Sequence, residues 1–194
     1  VPTSDAPWRP APRRALPLGA IAAWEAAILA SIAGASGTLE ERHAQIARSG
    51  LYGEYPEILT AYQALFAHAE SGDEALKRAV FLAWVGTVAP PCQTAILDLP
   101  EHGLRATVGA LERRLRRGTP DDAELRAMLA WYHAVAPALF DVYGSDGSVA
   151  DAVAGCAPDA WRAAGLTPAS LANRGQMGRY WRELLDGRRV TAGA

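Results

Sequence analysis

Apolar residues recur along the chain at intervals of three and four. No run alternates with a period of two long enough to make a strand, although 85–88 and 94–97 are ambiguous. In 18–34, Ile21, Trp24, Ile28 and Ile32 follow the helical period and the remaining positions are mostly alanine. That pattern predicts a central helix, apolar around most of its circumference. In "GTLEERHAQIARSG", Thr38 and Glu41 have the spacing of a capping box, and Gly50 marks the stop. "YPEILTAYQALFAHAESG" places Ile58, Leu59, Tyr62, Leu65 and Phe66 on one face, with Pro56 in the first turn and Gly72 after the end.

The next helix, "DEALKRAVFLAWVGTV", is predicted to start at Asp73 as N-cap and to end or kink at Pro90. Another runs from Pro100 to Gly118. It is followed by a helix with Thr119 as N-cap, Pro120 at N1 and acids in its first turn, and Gly118 takes the left-handed position between the two. Beyond Tyr143 the pattern shortens. "GSDGS" is a turn, glycines and prolines punctuate two or three short helices, and "GQMGRYWRELLDG" is the last helix. The expected fold is therefore all-α: a compact multi-helix bundle, for which irregular helical hairpins are one construction. Residues 1–17, with five prolines and no apolar period, form an extended arm that Trp8 could anchor; 18–143 form the main helical domain; 144–194 form a short-helix section packed on it.

One pattern recurs. "LAWVGTVAP" at 82–90 returns forty-seven residues later as "LAWYHAVAP" at 129–137. The period lies at the upper edge of two-helix repeats, but a stack of such repeats needs a third copy and the sequence has none. The reading that survives with or without a duplication is packing. Trp84 and Trp131 face the core with their N–H groups paired, and Pro90 and Pro137 end or bend their helices.

Composition narrows the function classes. Half of the 194 residues are hydrophobic and the net charge is −2, so neither disorder nor a strongly charged partner is indicated. Lys77 is the sole lysine against eighteen arginines, and alanine is abundant, which suggests a GC-rich bacterial genome. Cys92 and Cys156 have no metal-ligand spacing and are too few for a disulfide framework; two reduced thiols in a cytoplasmic protein are expected. "RRALPLGAIAAWEAAILASIAGA" resembles a signal peptide on its surface, but Glu25 stands in mid-stretch and would be costly in lipid. No membrane span is expected.

Few residues offer chemistry. Cys92, after Pro91, can open a short helix whose dipole favours its thiolate, with His43, His68, His102 or His133 as base. No nucleophile motif surrounds it. Glu40 and His43 form a lone Glu-x-x-His without the second copy that a di-iron bundle needs. Arg113, Arg114, Arg116 and Arg117 could meet phosphate, yet cations are also at home in a helix's last turn. Glu25, alone in an apolar helix, must find a partner or reach the surface. The expectation is a non-catalytic helical protein that binds a protein partner or a small ligand, with no metal and no cofactor. Glu25, Trp84, Trp131 and His133 are the ligand-binding candidates. An enzyme using Cys92 with a histidine base is the first alternative, and arginine-mediated nucleic-acid binding, an unlikely partner class, is the second.

Overall fold

The computed structural model describes residues 15–117 and 122–187. Among them the chain is all-α, with ten helices, short 3₁₀ turns and no strand. The proline-rich arm through residue 14, Trp8 included, lies outside the described residues, as do Gly118, Thr119 and Pro120. No described helix is long and apolar enough to cross a membrane.

The helices are α1 (Leu18–Gly34), α2 (Leu39–Arg48), α3 (Glu54–Gln63), α4 (Gly72–Val88), α5 (Pro91–Thr94), α6 (Glu101–Arg116), α7 (Ala123–Val135), α8 (Ala138–Tyr143), α9 (Ser148–Val153) and α10 (Gly175–Leu185). Several boundaries follow from local chemistry. Thr38 and Glu41 close the capping box at α2, and Gly50 beyond that helix has φ 75°. Pro100 precedes α6, and Pro91 occupies the first position of α5, where a missing N–H costs nothing.

Three expectations are corrected. The central helix is α4, not α1: every side chain from Ala75 to Val85 is buried, whereas α1 turns Ala23, Ala26, Ala27 and Ala30 to solvent. Alanine reads as apolar but loses little by exposure, so a run of it does not locate the core. The residue before α4 is Ser71, which makes no side-chain cap; Asp73 lies in the first turn and pairs with Arg114 instead, at 2.7 and 2.9 Å. The cap of α7 is Asp122 rather than Thr119, its carboxylate accepting from Leu125 N at 2.9 Å. Asp122 also serves a second partner, Lys77, at 2.9 Å.

Around α4 pack α3, α6, α8 and α10, while α1 lies against α3 and α10, and α9 bridges α6 and α7. The last helix thus belongs to the interior. Trp181 has no solvent exposure, and Gly178 lets α10 approach so closely that a Cβ there would stand 2.2 Å from the Leu171 carbonyl oxygen. The two echo segments meet through their side chains. Lys77 meets Glu124 and Trp84 meets Tyr132, so α4 and α7 run parallel in nearly the register of the forty-seven-residue offset.

Candidate functional site

The strongest polar feature of the interior is Glu25. The period of α1 puts it on the face of Ile21, Ile28 and Ile32, and its exposure is 1 %. A carboxyl so placed needs donors, and the fold supplies two from distant elements. The Tyr62 hydroxyl on α3 donates to Oε1 in a short hydrogen bond, and the backbone N–H of Gln176 donates to Oε2 at 2.6 Å. The second donor belongs to the first turn of α10, and the residue before that helix, Arg174, gives no side-chain cap. Glu25 therefore caps α10 from another helix, its charge facing the positive end of the dipole.

Gly175 makes this contact possible. Its φ is 57°, and a Cβ there would come within 2.5 Å of Glu25 Oε2. Burial pushes the Glu25 carboxyl up, while the Tyr62 and Gln176 hydrogen bonds and the Arg78 guanidinium pull it down; the balance leaves it at about 7. Burial, joined by the neighbouring Glu25 charge, drives the Tyr55 and Tyr62 hydroxyls well above the ordinary tyrosine range.

Beside this centre runs an ion network across α4, α7 and the approach to α10. Glu74 accepts from Arg78 Nε at 2.6 Å and from Arg174 Nε at 2.7 Å, with a second, shorter bond from Arg174. Arg174 also reaches Glu124, and Lys77 joins Glu124 and Asp122, each at 2.9 Å. Three cations and three carboxylates balance. Burial would lower Lys77, but its bonds to Glu124 and Asp122 outweigh that and raise it; burial would raise Glu124, but Arg174 and Lys77 hold it below the usual carboxylate range. Such a network fixes where α10 begins relative to α4 and α7, which is a positioning role.

A cleft opens where α1, α4, α5 and α10 meet. Leu29, Phe81 and Val85 form its apolar wall, and Thr94, Gln176 and Arg179 its polar one. The free space in it is about 20 Å³, room for about one water-sized group, and it is partly open to solvent. Gln176 links the cleft to Glu25, because its backbone caps onto the carboxylate while its side chain lines the cleft. The side-chain Nε2 donates to the Thr94 carbonyl at 3.2 Å, which settles the orientation of the amide and leaves Oε1 as acceptor. That Oε1 is buried and has no donor among the described residues.

The other sequence candidates fall into different surroundings. Trp84 has no exposure, donates to the Tyr132 carbonyl at 3.1 Å and stacks on the Tyr132 ring at 4.5 Å between centroids. Trp131 is half-buried, donates to the Tyr180 hydroxyl at 2.8 Å and meets Trp161 edge-on. Both are packing residues that touch Tyr180, a cleft-lining side chain. His133 stands apart near Phe140. Cys92 is 2 % exposed on α5; His43, the histidine on the helix packed against α5, is engaged by the Tyr52 hydroxyl, and no described histidine bonds the Cys92 sulfur. Of the arginine group, Arg114 is held by Asp73 and Arg116 by Asp146.

Among the described residues, no group of three or more His, Cys, Asp or Glu side chains is placed to hold a metal ion. Sequence reasoning found Glu25 but missed Tyr62, Arg174, Gln176 and Arg179. Tyr62 sits on an apolar face, Arg174 and Gln176 join partners up to 151 residues away, which no local pattern announces, and Arg179 pairs with Glu183 four residues on, a spacing that reads as an ordinary helix-surface ion pair. Comparison with protein-family models, with curated proteins and with solved structures finds no match for this chain.

Proposed function

We propose that this protein binds a small ligand, without catalysing its conversion, in the cleft between α1, α4, α5 and α10. The observation that carries the reading is Gln176. It lines the cleft, is 5 % exposed, and keeps an amide oxygen without a donor, one of six buried side-chain polar atoms among the described residues that lack a partner and the one that belongs to a cleft-lining residue. Burying such an acceptor costs roughly 1–3 kcal/mol unless something donates to it, and a bound molecule is one way to recover that cost. The surroundings favour binding over reaction. Glu25 is committed to two hydrogen bonds and is walled off from the cleft's mouth, and the Cys92 sulfur has no base beside it.

The test is a fragment screen followed by amide and side-chain NMR of the intact protein. Binders should shift the resonances of Gln93, Thr94, Gln176 and Arg179 together. Shifts clustered on another face, or none across a chemically broad set, would refute the reading.

A further inference from the structure

Glu25 ties α1, α3 and α10 together, through the Tyr62 hydroxyl and the Gln176 N–H. Its tie to α10 is a single backbone bond at that helix's first turn, and the side chain of Arg174 does not share the task. The approach to α10 is built to turn. Between Val153 and Gly175 the only helical element among the described residues is the 3₁₀ turn Ala160–Arg162. Asn173 and Gly175, on either side of Arg174, have left-handed φ of 58° and 57°, a conformation that asparagine and glycine reach at low cost. α10 can therefore swing away from α1 and α4 without unravelling another helix.

The charges around Glu25 decide how readily that happens. Its two hydrogen-bond partners are neutral. From α3 come Tyr55 and Tyr62, driven well above the ordinary tyrosine range by burial and by the Glu25 charge. Arg78 of α4 and Arg179 of α10 bring positive charge, but each is bound to a carboxylate of its own, Glu74 at 2.6 Å and Glu183 at 2.8 Å. The one titratable group of α5 is the Cys92 thiol, on a helix that also packs against α2. We propose that α10 is a pH-sensitive clasp, docked on α1 while Glu25 carries its proton and released more often once that carboxyl is ionised.

The sign follows from linkage. Burial raises the docked Glu25 to about 7, whereas hydrated in the open state it titrates near 4.5. The proton therefore favours docking fully below about 4.5, and the advantage is gone once pH has passed 7; between pH 5.5 and 7.5 the open fraction should rise about twentyfold. Other bonds that hold α10 do not follow this course. Trp181 donates to the Tyr132 hydroxyl at 2.8 Å, and burial drives that hydroxyl well above the ordinary tyrosine range. Burial would also raise Glu124, but Arg174 and Lys77 hold it below the usual carboxylate range. The clasp is independent of whether the cleft takes a ligand.

Native-state hydrogen exchange of the full chain, followed by NMR and corrected for intrinsic rates, tests the proposal. The amides of Gln176 to Leu184 should exchange through an opening with a shallower urea dependence than that of the α4 amides, and about twentyfold faster at pH 7.5 than at pH 5.5. Glu25→Gln keeps an acceptor for the Gln176 N–H and should flatten that pH dependence while leaving α10 docked. If α10 and α4 exchange together with one steep urea slope, or if the pH dependence survives in Glu25→Gln, the clasp is refuted. Should the glutamine form fail to fold, the carboxyl resonance of Glu25 in the native protein decides: titration near 7, in step with the exchange rates of α10, supports the clasp, and titration near 4.5 overturns it.

Discussion

Replacing Glu25 by glutamine should change how stability depends on pH, and the structure sets both sign and size. In the unfolded chain this carboxyl titrates near 4.5; in the fold it titrates at about 7, because burial outweighs its hydrogen bonds and the nearby Arg78. The folded state therefore holds a proton that the unfolded state has lost throughout that interval. The contribution is fully present below about 4.5 and is lost as pH rises through 7, in total about 3 kcal/mol. The tyrosines facing Glu25 do not blur the window, since burial and the Glu25 charge drive Tyr55 and Tyr62 upward, away from it. Glutamine keeps the shape and an acceptor for the Gln176 N–H but cannot titrate. Urea denaturation of both proteins at pH 5 and pH 8 provides the assay. Relative to Glu25→Gln, the native protein should lose about 2–3 kcal/mol between the two conditions. A difference that stays constant across that range would refute the argument.

Gly175→Ala should destabilise by about 2 kcal/mol or more, since the new Cβ meets the Glu25 carboxylate and the φ is left-handed; a thermodynamic cycle with Glu25→Ala should recover the part due to the clash but not the strain. Trp84→Ala should cost roughly 3–5 kcal/mol by denaturant titration, the loss of a wholly buried aromatic, and Trp131→Ala distinctly less because that ring is half-buried. Disulfide-exchange labelling of the native protein should modify Cys156 well before Cys92; equal rates would show that α5 opens readily.

The sequence carried the helices well wherever a local rule decided them. Thr38 and Glu41 announce α2 by spacing alone, and Pro100 announces α6. It was less informative about which helix lies inside. Alanine-rich α1 and charge-bearing α4 invert the order that hydropathy suggests, because Lys77 and Arg78 are neutralised by Asp122, Glu124 and Glu74. Two of those three carboxylates come from α7 and its cap, and no period in α4 encodes them. The same holds for the candidate site. A lone carboxylate in an apolar helix is visible at once, and Glu25 does meet donors. That one donor is a backbone N–H of α10, and that the same residue's side chain reaches the cleft, is a property of tertiary packing. Asp73 shows the complementary limit: a residue suited to cap a helix can instead be taken by a long-range partner, here Arg114.

The capping of α10 by Glu25 also bears on the order in which the protein can be made. A ribosome releases α1 early and α10 some 150 residues later, so a nascent chain lacking α10 has a carboxylate among isoleucines with one of its two donors still unmade. It also lacks the Trp181 ring, and Glu74 and Glu124 await Arg174. The preceding helices can form, but the surface they offer to α10 stays open until that helix has been made. Chaperone occupancy on stalled chains should accordingly persist until residues 174–185 have cleared the exit tunnel, then drop in a single step.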